Sequence, residues 1–314
     1  MTRPVTEVAV GVLIRADGAV LLADRPAGKP YAGYWEFPGG KLEPGESVAG
    51  ALARELHEEL GVAVGAVCPW VNFEFDYPHA YVRLHFCRVF DWQGAPHARE
   101  GQRMDFFDPA GALPSPLLPA AVPALRWLAL PALYALSAAA QYGRDGFLAR
   151  LEAALARGLR LVQLREAQLA DDEVAQLLPE VRARVHAHGG RLLVSSRHPR
   201  ALWDRADGVH LTGAALGQAT QRPQVGWVGA SVHGRADLAR AGRLGCDFAA
   251  LGPVLPTASH PGAPTLGWRE FERLAVDAPL PVYALGGLTA ADVDVARRAG
   301  AQGVAMLGAA WADQ

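Results

Sequence analysis

The first 130 residues combine short apolar runs, typical of β-strands, with one amphipathic helix. Residues 8–15 and 19–25 alternate apolar side chains on either side of Ala16-Asp17-Gly18, a pattern that predicts a β-hairpin. Two further strands and a closing helix are expected, in that order, at residues 70–75, 80–90 and 119–130. This pattern indicates an α/β sandwich built around a mixed sheet.

The predicted helix between these strands carries several carboxylates close to its apolar stripe. The stripe is formed by Val48, Leu52, Leu56 and Leu60. At about 100° per residue, Glu55, Glu58 and Glu59 fall within roughly one 100° arc beside it. Carboxylates at these spacings destabilise a helix by about a few tenths of a kcal/mol per pair, unless a positive charge lies among them. We therefore expect a cation to bind here.

A hard divalent cation suits this cluster best. Mg²⁺ commonly binds one or two carboxylates and keeps waters and substrate phosphates as its other ligands, and Mn²⁺ is the alternative. Pro38-Gly39-Gly40 predicts a tight turn before the helix, and Gly61 predicts a left-handed cap after it. Glu46, at the helix entrance, and Arg54 are placed to orient water or to hold a neighbouring carboxylate.

The second half of the chain repeats a strand-then-helix pattern. Eight short apolar runs with intervening helices predict a (β/α)₈ TIM barrel, and a doubly wound sheet is the alternative. Active sites of such barrels lie where the strands end. The residues expected on that rim are Arg165, Ser195, His210, His233, Thr257, Gly286 and Gly308. Gly286, Gly287 and Gly308 either hold a phosphate through backbone amides or simply permit tight turns.

Length and composition indicate two domains, which we place at residues 1–129 and 130–314. The formal net charge is −2 with both signs interspersed, which argues against a nucleic-acid polymer or a membrane surface as partner. Five prolines interrupt the apolar residues 113–140, so this segment is too broken to span a bilayer. Three scattered cysteines and the lack of an export signal predict a cytoplasmic location.

Motifs along the first half resemble the MutT branch of the Nudix hydrolases. Residues 40–62, GKLEPGESVAGALARELHEELGV, resemble the Nudix signature, and the segments EFPGGK, FEFDYPHAYVRLHF and WQGAPHAREGQ stand in the MutT order. The resemblance implies an α/β/α sandwich of the Nudix type. It also implies that the metal ligands are the Gly39 carbonyl, Glu55, Glu58, Glu59 and Glu100, the last from a loop.

The same resemblance implies in-line attack of a metal-activated water on a nucleoside triphosphate, which releases nucleoside monophosphate and pyrophosphate. The expected catalytic residues are Glu46, Arg54, Glu55 as base, and Glu100. Arg25 or Lys41 would contact the phosphates, and Phe37 would pack near the base. The implied substrate is 8-oxo-dGTP, which assigns the enzyme to nucleotide-pool sanitation and DNA repair. However, Ala121 stands where MutT enzymes read the purine edge with an asparagine.

Six segments of the second half, QLRE, DGVHL, GASVH, LGPVLPT, ALGGLT and GVAMLG, resemble the thiamine phosphate synthase and TenI superfamily. The residues that match the synthase pattern are Gln163, Arg165, Thr257, Ser259, Gly286, Gly287 and Gly308. Ala167, Ser195-Ser196 and His260 replace residues that handle pyrophosphate and Mg²⁺ in a synthase. The resemblance therefore implies a related fold and argues against thiamine phosphate synthesis.

A thiazole tautomerase of the TenI type is another possibility for the barrel. Pro253 occupies the position of the histidine that such proteins carry, so His210 and His233 are the remaining candidate proton carriers. The alternative is that both histidines are hydrogen-bonded scaffolding. In either case the expected ligand of the barrel is a thiazole or pyrimidine phosphate.

Three functional hypotheses follow. The first is a Mg²⁺-dependent nucleoside triphosphate pyrophosphohydrolase joined to a degenerate barrel. The second gives the same hydrolase a thiamine-related pyrophosphate as substrate. The third treats the barrel as a non-catalytic sensor that regulates the hydrolase.

Overall fold

Two units make up the chain, with the division between Ala129 and Leu130. The computed structural model describes residues 4–257, 262 and 264–312. Among these residues, no helix combines the length and the apolar character needed to cross a membrane.

The first unit is built on a four-stranded mixed sheet. Its elements are β1 (Val5–Leu13), β2 (Val20–Asp24), β3 (Trp35–Glu36), β4 (Gly39–Lys41), α1 (Val48–Leu60), β5 (Ala63–Val64), β6 (Val67–Tyr77), β7 (Ala80–Val89), β8 (Trp92–Gln93), β9 (Met104–Phe107) and α2 (Ala121–Leu128). The sheet has the order β4-β1-β7-β6 and is parallel between β1 and β7. A second sheet has the order β3-β2-β9, and β5 pairs with β8. The mixed sheet and the closing helix are as expected.

Strand β1 has α1 packed on one face and α2 on the other. Ala9 and Leu13 of β1 belong to a buried cluster that contains the apolar stripe of α1. Val10 and Val12, whose side chains alternate with these, belong to a cluster that includes residues of α2. This arrangement confirms the α/β/α sandwich.

The prediction of a hairpin holds at the turn but is wrong for the pairing of the two strands. The Arg15 N–H donates to the Ala19 carbonyl at 2.9 Å, and Ile14 forms a single bridge with Val20. Beyond these residues, β1 pairs with β4 and β7 whereas β2 pairs with β3 and β9. An alternating apolar pattern fixes which face of a strand is buried but does not specify its neighbour. Both strands therefore satisfy the pattern in separate sheets.

The segment Pro38-Gly39-Gly40 also differs from the prediction. Gly39 and Gly40 lie in the edge strand β4, where Gly39 is paired with Val10, and do not form a tight turn. The turn comes later, where the Glu46 N–H donates to the Glu43 carbonyl at 3.0 Å. Helix α1 then begins after Ser47, whose Oγ accepts the Gly50 N–H at 3.1 Å. It ends at Gly61 with φ 70°, the left-handed cap expected there.

The second unit is a closed barrel of eight parallel strands. Its elements are β10 (Leu133–Leu136), α3 (Ala139–Ala156), β11 (Leu161–Leu164), α4 (Asp171–Ala187), β12 (Arg191–Ser195), α5 (Arg200–Trp203), β13 (Gly208–Leu211), α6 (Gly213–Gln218), β14 (Trp227–Val232), α7 (Arg235–Leu244), β15 (Phe248–Leu251), α8 (Gly267–Ala275), β16 (Val282–Leu285), α9 (Val293–Arg298) and β17 (Gly303–Met306). Strand β17 pairs with β10 and closes the barrel. The (β/α)₈ prediction is confirmed, and closure rules out the doubly wound sheet.

Four rings pack together inside this barrel. Tyr134, His210, Phe248 and Tyr283 are buried, and the ring centroids of neighbouring pairs lie 5.3 to 5.9 Å apart. The imidazole of His210 lies 3.0 Å from the Tyr134 hydroxyl through Nδ1 and 3.0 Å from Ser231 Oγ through Nε2. Burial lowers the pKa of His210 to about 3. His210 is therefore a neutral core residue, which favours the scaffold interpretation over a proton carrier.

We expect acid to destabilise the barrel through His210. The pKa of about 3 in the folded chain lies below the ordinary value of 6.5, so the unfolded chain binds one more proton between these values. The free energy of unfolding should then fall by about 1.4 kcal/mol per pH unit as the pH drops below about 6.5. In His210→Gln this pH dependence disappears, so the stability of the variant relative to wild type should rise by about 2.5 kcal/mol as the pH falls from 7.5 to 4.5.

The measurement is urea unfolding followed through hydrogen exchange of barrel amides across this pH range. His233→Gln, which removes an exposed histidine of the same barrel, should keep the wild-type slope. A His210→Gln variant with an unchanged slope would contradict the assignment.

Candidate functional site

A cluster of carboxylates forms where α1 faces β4. Glu59 lies close to Glu100, Glu55 and Glu36, and its own carboxylate accepts the Gly39 N–H at 3.2 Å. Burial, together with the negative charges of the three neighbours, raises the pKa of Glu59 to about 7 against the opposing effect of the Gly39 hydrogen bond. The cluster therefore holds more negative charge than its buried position readily accommodates.

Arg54 joins the carboxylates of the helix to the helix entrance. Its guanidinium donates to Glu46 at 2.9 and 3.1 Å, to Glu55 Oε1 at 2.8 Å and to Glu58 Oε2 at 3.4 Å. A further bond of 3.1 Å reaches the Lys41 carbonyl on β4. The hydrogen bond from Arg54 holds the pKa of Glu46 below its usual value. Arg54 thus has the contacts expected of a residue that holds neighbouring carboxylates.

The two glycines of β4 allow close approaches that a side chain would block, to a carboxylate at Gly40 and to the backbone of β1 at Gly39. A Cβ atom on Gly40 would lie 2.1 Å from Glu55 Cδ and 2.3 Å from each of its oxygens. Gly39 has φ +142°, and a Cβ there would lie 2.1 Å from the Ala9 carbonyl oxygen. The Glu55 carboxylate therefore lies directly beside the α-carbon of Gly40. By contrast, the Glu58 side chain is 59% exposed.

Residues 97–102 form a loop that caps the end of α1 and carries Glu100. Donors of the loop bind carbonyls of the last helical turn at 3.0 to 3.2 Å. The carbonyls belong to His57, Glu59 and Leu60, and the donors belong to His97, Arg99 and Gln102. Such carbonyls lack partners within a helix and need external donors. Arg99 and Gln102 were not expected from the sequence, because they lie 42 and 43 positions away from the residues whose carbonyls they bind.

Two cations follow β2, and each is paired with a carboxylate. Arg25 Nη1 donates to both oxygens of Glu36 at 2.7 Å, and Arg25 Nε donates to the Pro30 carbonyl at 2.7 Å. Lys29 Nζ lies 2.8 Å from Glu100 Oε2. Arg25 was expected from the sequence as a phosphate contact, whereas Glu36 and Lys29 were not expected at the site. Neither pairing follows from local spacing, because the partners are far apart in the sequence.

The chemistry of these side chains fits a hard divalent cation. Carboxylate oxygens are the ligands that Mg²⁺ prefers, and the crowding around Glu59 would be relieved by positive charge. Within the described part of the chain, however, no three carboxylate, imidazole or thiolate groups are arranged to hold an ion. Glu55 and Glu58 are paired with Arg54 instead. These side chains are therefore chemically suitable as ligands of a divalent cation, but their carboxylates are not directed at one point.

The residues proposed to contact the base lie in the apolar core. Phe37 is buried and packs edge-on against Phe86 with centroids 6.0 Å apart. Ala121, the first residue of α2, is buried in the same cluster. Tyr77 belongs to this cluster too. Its buried hydroxyl approaches the Ala120 backbone without forming a hydrogen bond of ordinary geometry, and burial raises its pKa to about 12. The proposed phosphate contact Lys41 is exposed.

Most of the barrel residues proposed to bind a ligand follow the ends of its parallel strands. Gln163 lies in β11 and Arg165 after it, His233 follows β14, Thr257 follows β15, Gly286 and Gly287 follow β16, and Gly308 follows β17. Ser259 lies outside the described residues. The Arg165 N–H donates to Ser137 Oγ at 2.9 Å, and the His233 ring donates from Nδ1 to the Gly252 carbonyl at 3.0 Å. These bonds tie neighbouring strand ends together along one rim.

Gly286 and Gly287 also have a packing role. Both have positive φ, 106° and 68°, and Cβ atoms there would lie 2.6 Å from Pro253 Cβ and 2.5 Å from the Pro256 carbonyl oxygen. The need for glycine at both positions therefore follows from the loop packed against them. Ser195 and His210, also expected on the rim, are buried residues of β12 and β13.

Comparison with known proteins gives each unit a family. A model described as "Thiamine monophosphate synthase" matches residues 133–310, and a model described as "NUDIX domain" matches residues 5–140. The barrel is similar to "Putative thiamine-phosphate synthase 2" of Aquifex aeolicus, with 38% identity over 178 residues, 56% of this chain and 95% of the relative.

The first unit is similar to other curated proteins. The "CTP pyrophosphohydrolase" of Escherichia coli is 41% identical over 116 residues, which cover 37% of this chain and 86% of the relative. The "8-oxo-dGTP diphosphatase" of Haemophilus influenzae is 37% identical over 102 residues, 32% of this chain and 75% of the relative. Both names describe hydrolysis of phosphoric anhydrides, and the first unit is an enzyme of that class. The chain belongs to the Nudix family through its first unit and to the thiamine monophosphate synthase family through its barrel.

Proposed function

We propose that the first unit hydrolyses nucleoside triphosphates to nucleoside monophosphate and pyrophosphate and needs Mg²⁺ or Mn²⁺ to do so. The observation that carries this proposal is the packing of Glu55 and Glu59 against the two glycines of β4, with Glu100 beside them. This packing places hard oxygen ligands beside a strand that a phosphate chain can approach closely. The proposed ligands are the Gly39 carbonyl, Glu55, Glu58, Glu59 and Glu100.

The roles of the protein groups follow from their contacts. A bound divalent cation supplies activation of water and neutralisation of phosphate charge. Glu55 is the proposed base, because Arg54 and Gly40 fix its carboxylate beside the ligands. Arg54 also holds Glu46 and so ties the helix entrance to the base. Positioning of this kind is the main contribution a protein makes to phosphoryl transfer.

Two nucleotides are candidate substrates. The motif order and the Haemophilus relative favour 8-oxo-dGTP, which would make the enzyme a sanitiser of the nucleotide pool. CTP is the second candidate, because the Escherichia relative is named for it and because the methyl group of Ala121 cannot hydrogen-bond to a purine edge. A buried side chain without hydrogen-bonding groups discriminates poorly between base edges.

The barrel is proposed to bind a thiazole or pyrimidine phosphate without making thiamine phosphate. Arg165, His233 and Thr257 follow strand ends of the kind at which such barrels bind phosphates. The lack of the lysine and carboxylate residues that a synthase needs motivates a binding role. A ligand at the barrel would then regulate the hydrolase, as the sensor hypothesis holds.

One assay distinguishes these functions. Release of phosphate and pyrophosphate is measured with Mg²⁺ across 8-oxo-dGTP, CTP, the ordinary deoxynucleoside triphosphates and thiamine diphosphate, with and without thiazole phosphate. Preference for 8-oxo-dGTP or for CTP identifies which of the two nucleotides is the substrate. Preference for thiamine diphosphate would instead make a thiamine-related pyrophosphate the substrate. A change in kcat with thiazole phosphate supports the sensor role. No hydrolysis of any of these compounds with Mg²⁺ or Mn²⁺ would overturn the proposal.

Removal of one carboxylate charge should abolish most activity and leave the fold intact. We expect Glu55→Gln and Glu58→Gln to lower kcat by about 10²- to 10⁴-fold, because each removes a base or a ligand. The Tm without metal should stay the same or rise, since each change relieves repulsion within the cluster. Steady-state kinetics and thermal unfolding in EDTA measure these two effects. Near-normal turnover in either variant would contradict the assigned roles.

The two glycines of β4 offer a matched pair of variants. In Gly40→Ala the new methyl group collides with the Glu55 carboxylate, which can rotate away, so we expect a normal Tm and a fall in kcat of about 10²-fold. In Gly39→Ala the methyl group meets the backbone of β1 at an unfavourable φ, so we expect a loss of about 2 kcal/mol or more in stability. Kinetics and urea unfolding separate the outcomes. Full activity of Gly40→Ala would show that the position of Glu55 is unimportant.

A further inference from the structure

Lys29 is one of only two lysines in a chain whose other basic side chains are arginines and histidines. It lies in the segment after β2, and its ammonium contacts Glu100 across 71 positions of sequence. Both side chains remain open to water, with 48% of Lys29 and 42% of Glu100 exposed. The contact therefore joins a candidate metal ligand to a flexible, accessible cation.

The other cations of the cluster are more firmly held. Arg25 bridges Glu36 and the Pro30 carbonyl, and Arg54 bridges three carboxylates and the Lys41 carbonyl. Their planar guanidinium groups bind several acceptors at once, whereas the Lys29 ammonium is a point charge on a flexible stem. An exposed ion pair of this kind is weak, so Lys29 can leave Glu100 at little cost.

The backbone around Lys29 is anchored close by. Tyr31 packs edge-on against Tyr34 and Tyr77 with ring centroids 5.2 and 5.6 Å apart. The Gly33 N–H donates to the Arg25 carbonyl at 2.9 Å and closes the segment on itself. A change of partner by Lys29 therefore requires rotation of its side chain and no movement of the loop.

A divalent cation at Glu100 and the Lys29 ammonium repel each other, because both are positive and share one carboxylate. We propose that Lys29 is an exchangeable counter-ion: it pairs with Glu100 before metal binds, and it is then displaced to the phosphates of the substrate that leave as pyrophosphate. This assignment rests on the function proposed above. Lys29 thus weakens metal binding in the absence of substrate and strengthens binding of the phosphate chain once metal is present.

Opposite effects on the two ligands test this role. In Lys29→Met, calorimetric titration without an anion should show Mn²⁺ binding about two- to fivefold tighter than in wild type, the range expected for loss of an exposed charge pair. At saturating Mn²⁺, imidodiphosphate, a non-hydrolysable form of pyrophosphate, should bind about tenfold more weakly, as for one lost charge-assisted hydrogen bond. Lys29→Arg should recover most of the imidodiphosphate affinity.

Arg15→Met is the matched control, because Arg15 is a similarly exposed cation of the same unit that pairs with Asp17 instead. It should change neither affinity. If Lys29→Met shifts both affinities in the same direction, or neither, the exchange role is overturned while the proposed hydrolase stands. If wild type binds no Mn²⁺ and hydrolyses no triphosphate, the proposed function fails together with this inference.

Discussion

The approach of two carboxylates to the glycine edge strand is the constraint on which the first unit depends. Glu55 lies against β4 only because Gly40 has no side chain, and Glu59 is bonded to the same strand through the Gly39 N–H, which brings negative charge into a poorly hydrated place. Arg54 offsets part of that charge from the open side of the helix. Catalytic sites often contain such local destabilisation, since the arrangement that suits a ligand is seldom the most stable one without it.

Local patterns in the sequence were sufficient for much of this architecture. The apolar stripe and the Gly61 cap predict α1 closely, because periodicity and capping act over a few residues. The eight barrel strands were predicted for the same reason. The partners of β1 and β2 were not, since apolar alternation carries no information about neighbours. The pattern indicated an α/β sandwich around a mixed sheet, and the resemblance specified its α/β/α arrangement.

In the candidate site, too, local patterns predict some residues, and contacts between distant segments bring in the others. The carboxylates of α1 could be recognised from spacing, whereas Glu36 and Lys29 enter the cluster through contacts between distant segments. In the barrel, two histidines that look alike in the sequence differ in burial because they occupy different positions relative to their strands. His210 lies within β13 and is neutral in the core, while His233 follows β14 and is exposed. Burial depends on the closed barrel, so it could not be read from the residues alone.

The place of β10 in the barrel limits how the two families can be separated. Both family models include residues 133–140, yet β10 pairs with β11 on one side and with β17 on the other. A chain cut after residue 140 would take this strand away with the first unit and leave two unpaired strand edges in the remainder. Exposed edges of that kind promote aggregation. The place to divide the protein is therefore between Ala129 and Leu130, because the carbonyls of Leu130 and Pro131 already accept hydrogen bonds from barrel residues.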